Sequence, residues 1–222
     1  MSNSGEFLSL GQQKKQWRLF LRQQLADFQA AVGAGHRDLR REQEKLLSLL
    51  QDLLKKEKGN WAMYIAQNPE PDLMGLAQAL PEISWWVPRA IPCVSDTDPL
   101  GENSKKVRFR LEFTPIQDSR EQGPWGIPQA SVYPGQQILQ IKDLQGILIP
   151  GLGFDKNGTR LGRGQGIFDQ ALAGWNGKKV GVCWDVQMVT ELPRESHDQA
   201  MDYVVTCREV FSIPSGEGME RG

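Results

Sequence analysis

The chain has 222 residues, enough for one domain of ordinary to large size with a substantial core and no need of metal or disulfide staples. It carries 26 Lys and Arg against 27 Asp and Glu, a net charge of -1, so nothing in the overall balance favours a nucleic-acid partner. The 39% hydrophobic and 24% charged content is that of a globular protein, which excludes disorder as the default state.

The three cysteines, Cys93, Cys183 and Cys207, are far apart and form no CxxC pair, so the sequence predicts neither a disulfide framework nor a zinc site. No apolar run approaches the roughly 18 to 20 residues that a membrane-spanning helix requires. The first ten residues are mostly polar. We expect a cytoplasmic protein with no membrane partner, folded as a single domain over residues 1–222 with flexible tails at 1–10 and 214–222.

Two helices are predicted over residues 12–58, with a break near Gly33 to Gly35, because apolar residues recur there at helical spacing without a proline. After Asn60 the pattern changes to short β-rich runs separated by turn residues, with helical stretches between several of them. The predicted strands are 61–65, 84–88, 107–113, 146–149, 179–184 and 203–207. Further helices are predicted at 71–80 and 165–173, and long surface loops at 92–106 and 115–137.

Strands that alternate with helices predict a layered α/β domain with a mostly parallel sheet. The ligand crevice of such a sheet lies beyond the carboxyl ends of its strands. Residues that follow the predicted strands are therefore the first candidates for a site.

A glycine-rich segment, residues 150–169, follows one predicted strand and opens a predicted helix. Its six glycines permit backbone conformations and close approaches that a side chain would block, and free N–H groups at a helix start suit phosphate oxygens. Arg160 and Arg163 add fixed positive charge with bidentate geometry. The pattern favours a phosphate-binding loop, although it is neither a Walker A nor a Rossmann sequence. A flexible surface loop, or Schellman-type turns around Gly158, are the alternatives.

A basic stripe is predicted on the first helix, because Lys14, Arg18 and Arg22 follow one another at intervals of four residues. Like charges at that spacing repel mildly, so an anionic partner is one interpretation. The other is a solvated helix face on which Lys15 adds one more surface charge.

Acidic side chains form the third candidate group. A short helix within residues 191–202 would place Asp198 and Asp202 on one face, and together with Asp169 a carboxylate pair could hold Mg²⁺. Helix caps are the alternative interpretation. Glu70 follows a predicted strand, where it could bind substrate N–H groups or begin a helix. His197 is interpreted as a structural hydrogen-bonding group rather than a general base.

Taken together, these segments resemble the 5-formyltetrahydrofolate cyclo-ligase family, also called methenyltetrahydrofolate synthetase. The resemblance covers the basic first helix, the Glu70 turn, Trp125-Gly-Ile-Pro-Gln129, the glycine segment and residues 191–202. It implies a three-layer α/β/α sandwich with a mostly parallel sheet and an N-terminal helical segment. The implied activity is the ATP- and Mg²⁺-dependent closure of 5-formyltetrahydrofolate to 5,10-methenyltetrahydrofolate, with release of ADP and phosphate. The implied partners are the folate and its polyglutamates, with no nucleic acid, for a monomer or weak oligomer.

Carried over position by position, the resemblance implies catalytic roles for Arg163 and Glu70 and Mg²⁺ ligation by Asp169 and Asp198. The implied ATP-binding residues are Lys14, Lys15, Arg18, Arg160, Leu161, Gly162, Arg163, Gly164, Gln165, Gly166, Ile167 and Phe168. The implied folate-binding residues are Glu70, Trp125, Gln129, Arg163, Gly164, Gln165, Gly166 and Ile167.

The sequence departs from the family in the glycine segment, where Ile167-Phe168 stands in place of two tyrosines and Gln165 in place of Lys or Gly. Because lost hydrogen bonds to a developing charge slow a reaction, this departure predicts reduced turnover or an altered folate pose. Two alternatives to the enzyme stay open. One is a non-catalytic folate- or nucleotide-binding protein on the same fold, and the other is an enzyme that handles a sugar phosphate or CoA.

Overall fold

The computed structural model of the protein describes residues 8–93, 108–116 and 120–214. The predicted loop at 92–106 and the two predicted tails lie almost wholly outside this part of the chain. Within it, no helix combines the length and apolarity needed to cross a bilayer. The helices are α1 (Leu10–Gly33), α2 (Leu39–Leu54), α3 (Leu76–Ala79) and α4 (Ile167–Leu172). The strands are β1 (Gly59–Ala62), β2 (Ile83–Cys93), β3 (Arg108–Pro115), β4 (Arg120–Gln122), β5 (Pro128–Ala130), β6 (Gly146–Pro150), β7 (Gly153–Asp155), β8 (Arg160–Leu161), β9 (Lys178–Val182), β10 (Met188–Val189), β11 (Tyr203–Val205) and β12 (Val210–Ser212).

The first two helices start at side-chain caps. Ser9 forms a capping box with Gln12, and the Asp38 carboxylate accepts the backbone N–H of Arg41 at 3.1 Å. Between the helices the chain turns at Gly35, which has a φ of 74°. The prediction of two helices with a break near Gly33 to Gly35 is confirmed.

The main sheet has seven strands in the order β12-β11-β9-β6-β1-β2-β3. The five central strands, β11, β9, β6, β1 and β2, are parallel to one another. The outer strands β3 and β12 are antiparallel to their neighbours. All six strands predicted from the sequence contribute to this sheet. Strand β12 was not predicted, because its three residues are too few to show an alternating pattern. The predicted α/β fold with a mostly parallel sheet is confirmed.

Both faces of the sheet are covered by apolar side chains. Trp61 and Leu148 point to a core that they share with α1 and α2, whereas the neighbouring Ala62 and Ile147 point to a second core shared with α4. This alternation follows from the two-residue repeat of a strand, and it produces the three layers of a sandwich.

The helix predicted at 71–80 is reduced to the four residues of α3. The preceding backbone is held by side chains instead of a helical ladder. The Tyr64 hydroxyl donates to the Pro71 carbonyl at 2.9 Å, and the Gln43 amide bonds both the N–H and the C=O of Asp72. These bonds satisfy groups that a longer helix would have used.

The prediction of a short helix within residues 191–202 is wrong, because no helix occurs there. The Glu195 N–H donates to Asp198 Oδ2 at 2.7 Å, which closes a turn, and Asp202 accepts the backbone N–H of Lys179 at 2.7 Å. Asp198 and Asp202 therefore have separate partners and do not share a helix face.

The long loop predicted at 115–137 contains structure. Strands β4 and β5 pair there as an antiparallel hairpin that forms a two-stranded sheet of its own, with a 3₁₀ turn at Pro124–Gly126 between them. We call residues 120–130 the wall hairpin, because several of its residues line the cavity described next.

Candidate functional site

A cavity of about 290 Å³ lies where the chain leaves the carboxyl ends of β1 and β6. This is the position at which an open parallel sheet binds ligands. Among the predicted site residues whose side chains the structure describes, Lys15 does not line it. The predicted residues that do are Lys14, Arg18, Glu70, Gln129, Arg160, Leu161, Gly162, Arg163, Gly164, Gln165, Gly166, Ile167, Phe168, Asp169 and Asp198.

Helix α1 supplies two cations to the cavity. Lys14 is buried, and its Nζ lies 2.5 Å from Asp198 Oδ2 and 2.6 Å from Glu195 Oε2. Arg18 donates from Nε to the Gly162 carbonyl at 3.1 Å. Of the predicted basic stripe, only Lys14 faces carboxylates among the described residues. These carboxylates come from the 191–202 segment, whereas Arg22 is exposed. Lys15, one residue further round the helix, is exposed.

Lys14 and Asp198 perturb each other's protonation. Burial alone would lower the pKa of Lys14, but its hydrogen bonds to Asp198 and Glu195 and their negative charges outweigh that effect and raise the pKa above its ordinary value. Burial alone would raise the pKa of Asp198, yet the Glu195 N–H and the Lys14 ammonium outweigh it and lower the pKa. Both groups are charged at neutral pH.

The glycine loop, residues 160–168, favours glycine at two positions, Gly162 because of what lies against it and Gly164 because of its backbone conformation. A Cβ on Gly162 would stand 2.8 Å from Arg160 Nη1, which is too close for a normal contact. Gly164 has a φ of 106°, and a Cβ there would meet the Arg18 guanidinium at 3.6 Å. The backbone can therefore run directly over the two arginines.

The Arg160 side chain is hydrogen-bonded to other groups of the protein. Its side chain is 5% exposed, and its Nη2 lies 3.0 Å from both carboxylate oxygens of Asp169. Its Nη1 donates to the Pro150 carbonyl at 3.2 Å, and the guanidinium lies over the Phe168 ring at 5.5 Å from the centroid. Arg160 thus ties Asp169 and the start of α4 to the end of β6.

Arg163 is the accessible arginine of the loop. Its side chain is 46% exposed, and its Nη2 lies 2.8 Å from Glu70 Oε1. The second oxygen of Glu70 accepts the Gln67 N–H at 2.9 Å, which orients the carboxylate. The two predicted catalytic residues are therefore in direct contact across the cavity, although 93 positions separate them along the chain.

Other lining residues escaped the sequence analysis, including Tyr64, Leu111 and Glu195. Burial, and then the charge of Glu70, raise the pKa of Tyr64 well above its ordinary value, so its hydroxyl is a neutral donor. Oxygen or nitrogen atoms of Glu195, His197 and Asp198 lie within 4.8 Å of one another. The turn beginning at Glu195 creates this grouping, so no helical or strand spacing could have revealed it.

The wall hairpin closes the cavity with Pro124, Ile127, Pro128 and Gln129. Gln129 is buried, and both of its polar atoms have protein partners, since Oε1 accepts the Ala90 N–H and Nε2 donates to Glu121. Trp125 belongs to the 3₁₀ turn of the hairpin, but its side chain lies outside the described part of the structure.

The fold and the cavity together define an α/β protein whose candidate site contains a glycine loop with two arginines, beyond the carboxyl ends of parallel strands. A family model described as the 5-formyltetrahydrofolate cyclo-ligase family matches residues 12–207. The chain belongs to that family.

Individual relatives agree with this assignment. A 5-formyltetrahydrofolate cyclo-ligase of Mycolicibacterium smegmatis is 42% identical over 62 residues, 27% of this chain and 32% of that protein. One of Saccharomyces cerevisiae is 33% identical over 98 residues, 40% of this chain and 44% of that protein. These matches span less than half the length of the relatives. The NMR structure of Aquifex aeolicus 5,10-methenyltetrahydrofolate synthetase superposes with a TM-score of 0.66 and 25% identity over 93% of this chain and 96% of that one.

Proposed function

We propose that the protein closes 5-formyltetrahydrofolate to 5,10-methenyltetrahydrofolate at the expense of ATP, releasing ADP and phosphate. The observation that carries the proposal is the contact between Arg163 of the glycine loop and Glu70, in the same cavity as Lys14 and Arg18. A cationic loop and a carboxylate that face one another suit a substrate with a phosphoryl group at one end and N–H donors at the other.

The chemistry explains why such groups are needed. The formyl oxygen on N5 is a poor leaving group, so transfer of the γ-phosphoryl group of ATP to it activates the carbon. N10 then attacks that carbon, and the ring closes as phosphate leaves and the N10 proton passes to solvent or to the departing phosphate. Phosphoryl transfer depends chiefly on positioning and on neutralising charge, which is the role we assign to Arg163. We assign Glu70 to the N–H groups of the pterin.

The carboxylates of Asp169 and Asp198 are the donor type that Mg²⁺ takes, and both line the cavity. Each is now neutralised by a basic partner, Arg160 and Lys14 respectively. We therefore propose that these two aspartates hold the ion, and that Asp198 exchanges Lys14 for it. When bound, Mg²⁺ would neutralise charge on the phosphates.

The proposal extends to the surroundings of the enzyme. We infer that the polyglutamates of the folate are also substrates and that the protein is a cytoplasmic monomer or weak oligomer. The net charge of -1 supports the absence of a nucleic-acid partner.

The direct test mixes the purified protein with 5-formyltetrahydrofolate, ATP and Mg²⁺ and follows the near-ultraviolet absorbance of methenyltetrahydrofolate, with ATP omitted as the control. We expect product only when ATP is present. Product formation without ATP would contradict the ligase chemistry. Tight binding of either ligand without product would instead favour the non-catalytic binding protein.

Replacing Ile167 with tyrosine should raise kcat about tenfold, because it restores a hydroxyl and a ring beside the proposed reacting centre. Ile167 begins α4, packs against the second core and lines the cavity. Steady-state kinetics of Ile167→Tyr and Phe168→Tyr would separate the effect of a ring from that of a hydroxyl. Ile138→Tyr, at an exposed site outside the cavity lining, is the control. An unchanged kcat would show that the cavity has been remodelled around the smaller side chain.

A further inference from the structure

Among the bonds between described residues, none joins the backbone of the wall hairpin to the backbone of the main sheet. Strands β4 and β5 have three residues each and pair only with one another among the described strands. A two-stranded hairpin of this size is marginally stable alone. Yet its residues form one side of the cavity. Side-chain contacts to the main sheet therefore contribute to its position.

Arg89 of β2 makes the principal contact of this kind. Its Nη1 donates to the Ala130 carbonyl of β5 at 2.5 Å, and its Nη2 lies 2.9 Å from Glu121 Oε1 of β4. The side chain is 12% exposed. A guanidinium can bridge both strands of a hairpin at once because its donors diverge from a rigid plane, whereas a lysine ammonium is a single point.

The Glu121 carboxylate also takes part in a second connection between the hairpin and β2. Glu121 also accepts from Gln129 Nε2 at 3.0 Å, and Gln129 Oε1 accepts the Ala90 N–H of β2 at 3.2 Å. Gly123 is required here, because a Cβ on it would lie 2.6 Å from Gln129 Oε1. Arg89, Glu121 and Gln129 thus form a brace that connects β2 to the hairpin at two points.

We propose that Arg89 is a positioning residue that sets the substrate side of the cavity by holding the wall hairpin against β2. The inference rests on the proposed function for the identity of the substrate. The hairpin residues that line the cavity are mostly apolar, which suits the flat ring system of a folate. The groups that we assign to the phosphates belong to α1 and the glycine loop. None of the bonds described above joins α1 or the glycine loop to the brace. Loss of Arg89 therefore acts on the folate and spares ATP.

The experiment measures KM for 5-formyltetrahydrofolate and for ATP in Arg89→Met, Arg89→Lys and Glu121→Gln. For Arg89→Met we expect a rise of about tenfold in the folate KM and of less than about twofold in the ATP KM. A displaced hairpin weakens the binding of the substrate that it contacts. Arg89→Lys, which keeps the charge, should recover part of the loss. Arg110→Met is the matched control, because Arg110 pairs with Glu112 on its own strand, β3, and is 60% exposed.

Hydrogen exchange provides a readout that does not depend on activity. The Gly123 N–H donates to the Ile127 carbonyl within the hairpin at 2.9 Å, and it should exchange faster in Arg89→Met and Glu121→Gln than in the wild type.

An unchanged folate KM would overturn the proposal. Equal rises in both KM values, together with a loss of thermal stability, would also overturn it. If Arg89→Met does not fold, Glu121→Gln decides, because Glu121 is 44% exposed. A wild-type protein that neither binds nor turns over the folate would refute the proposed function, while the exchange data would still test the brace.

Discussion

Replacing Arg163 with methionine is expected to lower kcat at least about 100-fold, the loss seen when a donor to a developing charge is removed. Arg163 is the accessible cation of the glycine loop and the one we assign to the transferred phosphoryl group. Its ion pair with Glu70 is 46% exposed on the arginine side. Glu70 is 12% exposed but keeps its hydrogen bond from the Gln67 N–H, so the loss of stability should lie between the roughly 0 to 1 kcal/mol of an exposed pair and the roughly 3 kcal/mol of a buried one. Steady-state kinetics and a melting curve check both parts.

The matched control for this variant is Arg40→Met. Arg40 also pairs with a glutamate, Glu44, but on the outer face of α2, where its side chain is 89% exposed. It should keep both activity and stability. If Arg163→Met and Arg40→Met have the same kcat, Arg163 has no role in the chemistry. Arg163→Lys should retain part of the activity, because it keeps the charge and loses the planar fork.

Replacing Lys14 with methionine should lower the free energy of unfolding by about 3 kcal/mol, because removing one partner of a buried ion pair leaves the others uncompensated. Lys14 and Asp198 are 8% and 11% exposed, and Glu195 shares the same ammonium. In a chain of this length such a loss corresponds to a fall in Tm of roughly 6 to 12 °C. Denaturant unfolding or calorimetry measures it.

The stabilising effect of this pair also has a defined pH range. The pKa of Lys14 is raised, so its contribution is fully present below the ordinary value of 10.5 and is lost as pH rises through the folded value. The pKa of Asp198 is lowered, so its contribution is present above the ordinary value of 3.8 and is lost as pH falls through the folded value. The stability difference between the wild type and Lys14→Met should therefore be nearly flat across neutral pH and shrink at both extremes.

Lys15→Met is the control for Lys14→Met. It removes the same charge one residue away, where the side chain is exposed and outside the cavity lining. We expect a change in Tm of less than about 2 °C, as for most surface substitutions. Equal effects of the two variants would mean that the carboxylates near Lys14 do not depend on it.

The order of helices and strands could be predicted because it depends on short-range patterns. The break at Gly35 and the six strands of the sheet follow from helical spacing, alternation and turn residues, which act within a few positions. Segments stabilised by distant side chains could not be predicted in this way. The 71–80 segment lost most of its helix because Tyr64 and Gln43 bind its backbone. The 191–202 segment became a loop.

The sequence predicts that the glycine loop belongs to a site, but it does not predict how the contacts are divided between the two arginines of the loop. Arg160 and Arg163 are equivalent by spacing and composition, yet one is 5% exposed beside Asp169 and the other is 46% exposed in the cavity. The sequence likewise predicts Asp169 as a Mg²⁺ ligand and does not reveal its ion pair with Arg160. Its contact with the buried Arg160 means that Asp169→Asn will also affect stability.

The sequence by itself determined the fold class and the segments from which the site is built, because periodicity, glycine spacing and family resemblance are properties of the chain read in order. Only the tertiary structure decided which charges face one another. Lys14 meets Asp198, Arg163 meets Glu70, and Arg89 meets Glu121. In the first two pairs more than ninety residues of chain separate the partners, and all three depend on the packing of α1, the parallel sheet and the wall hairpin, which no local pattern encodes.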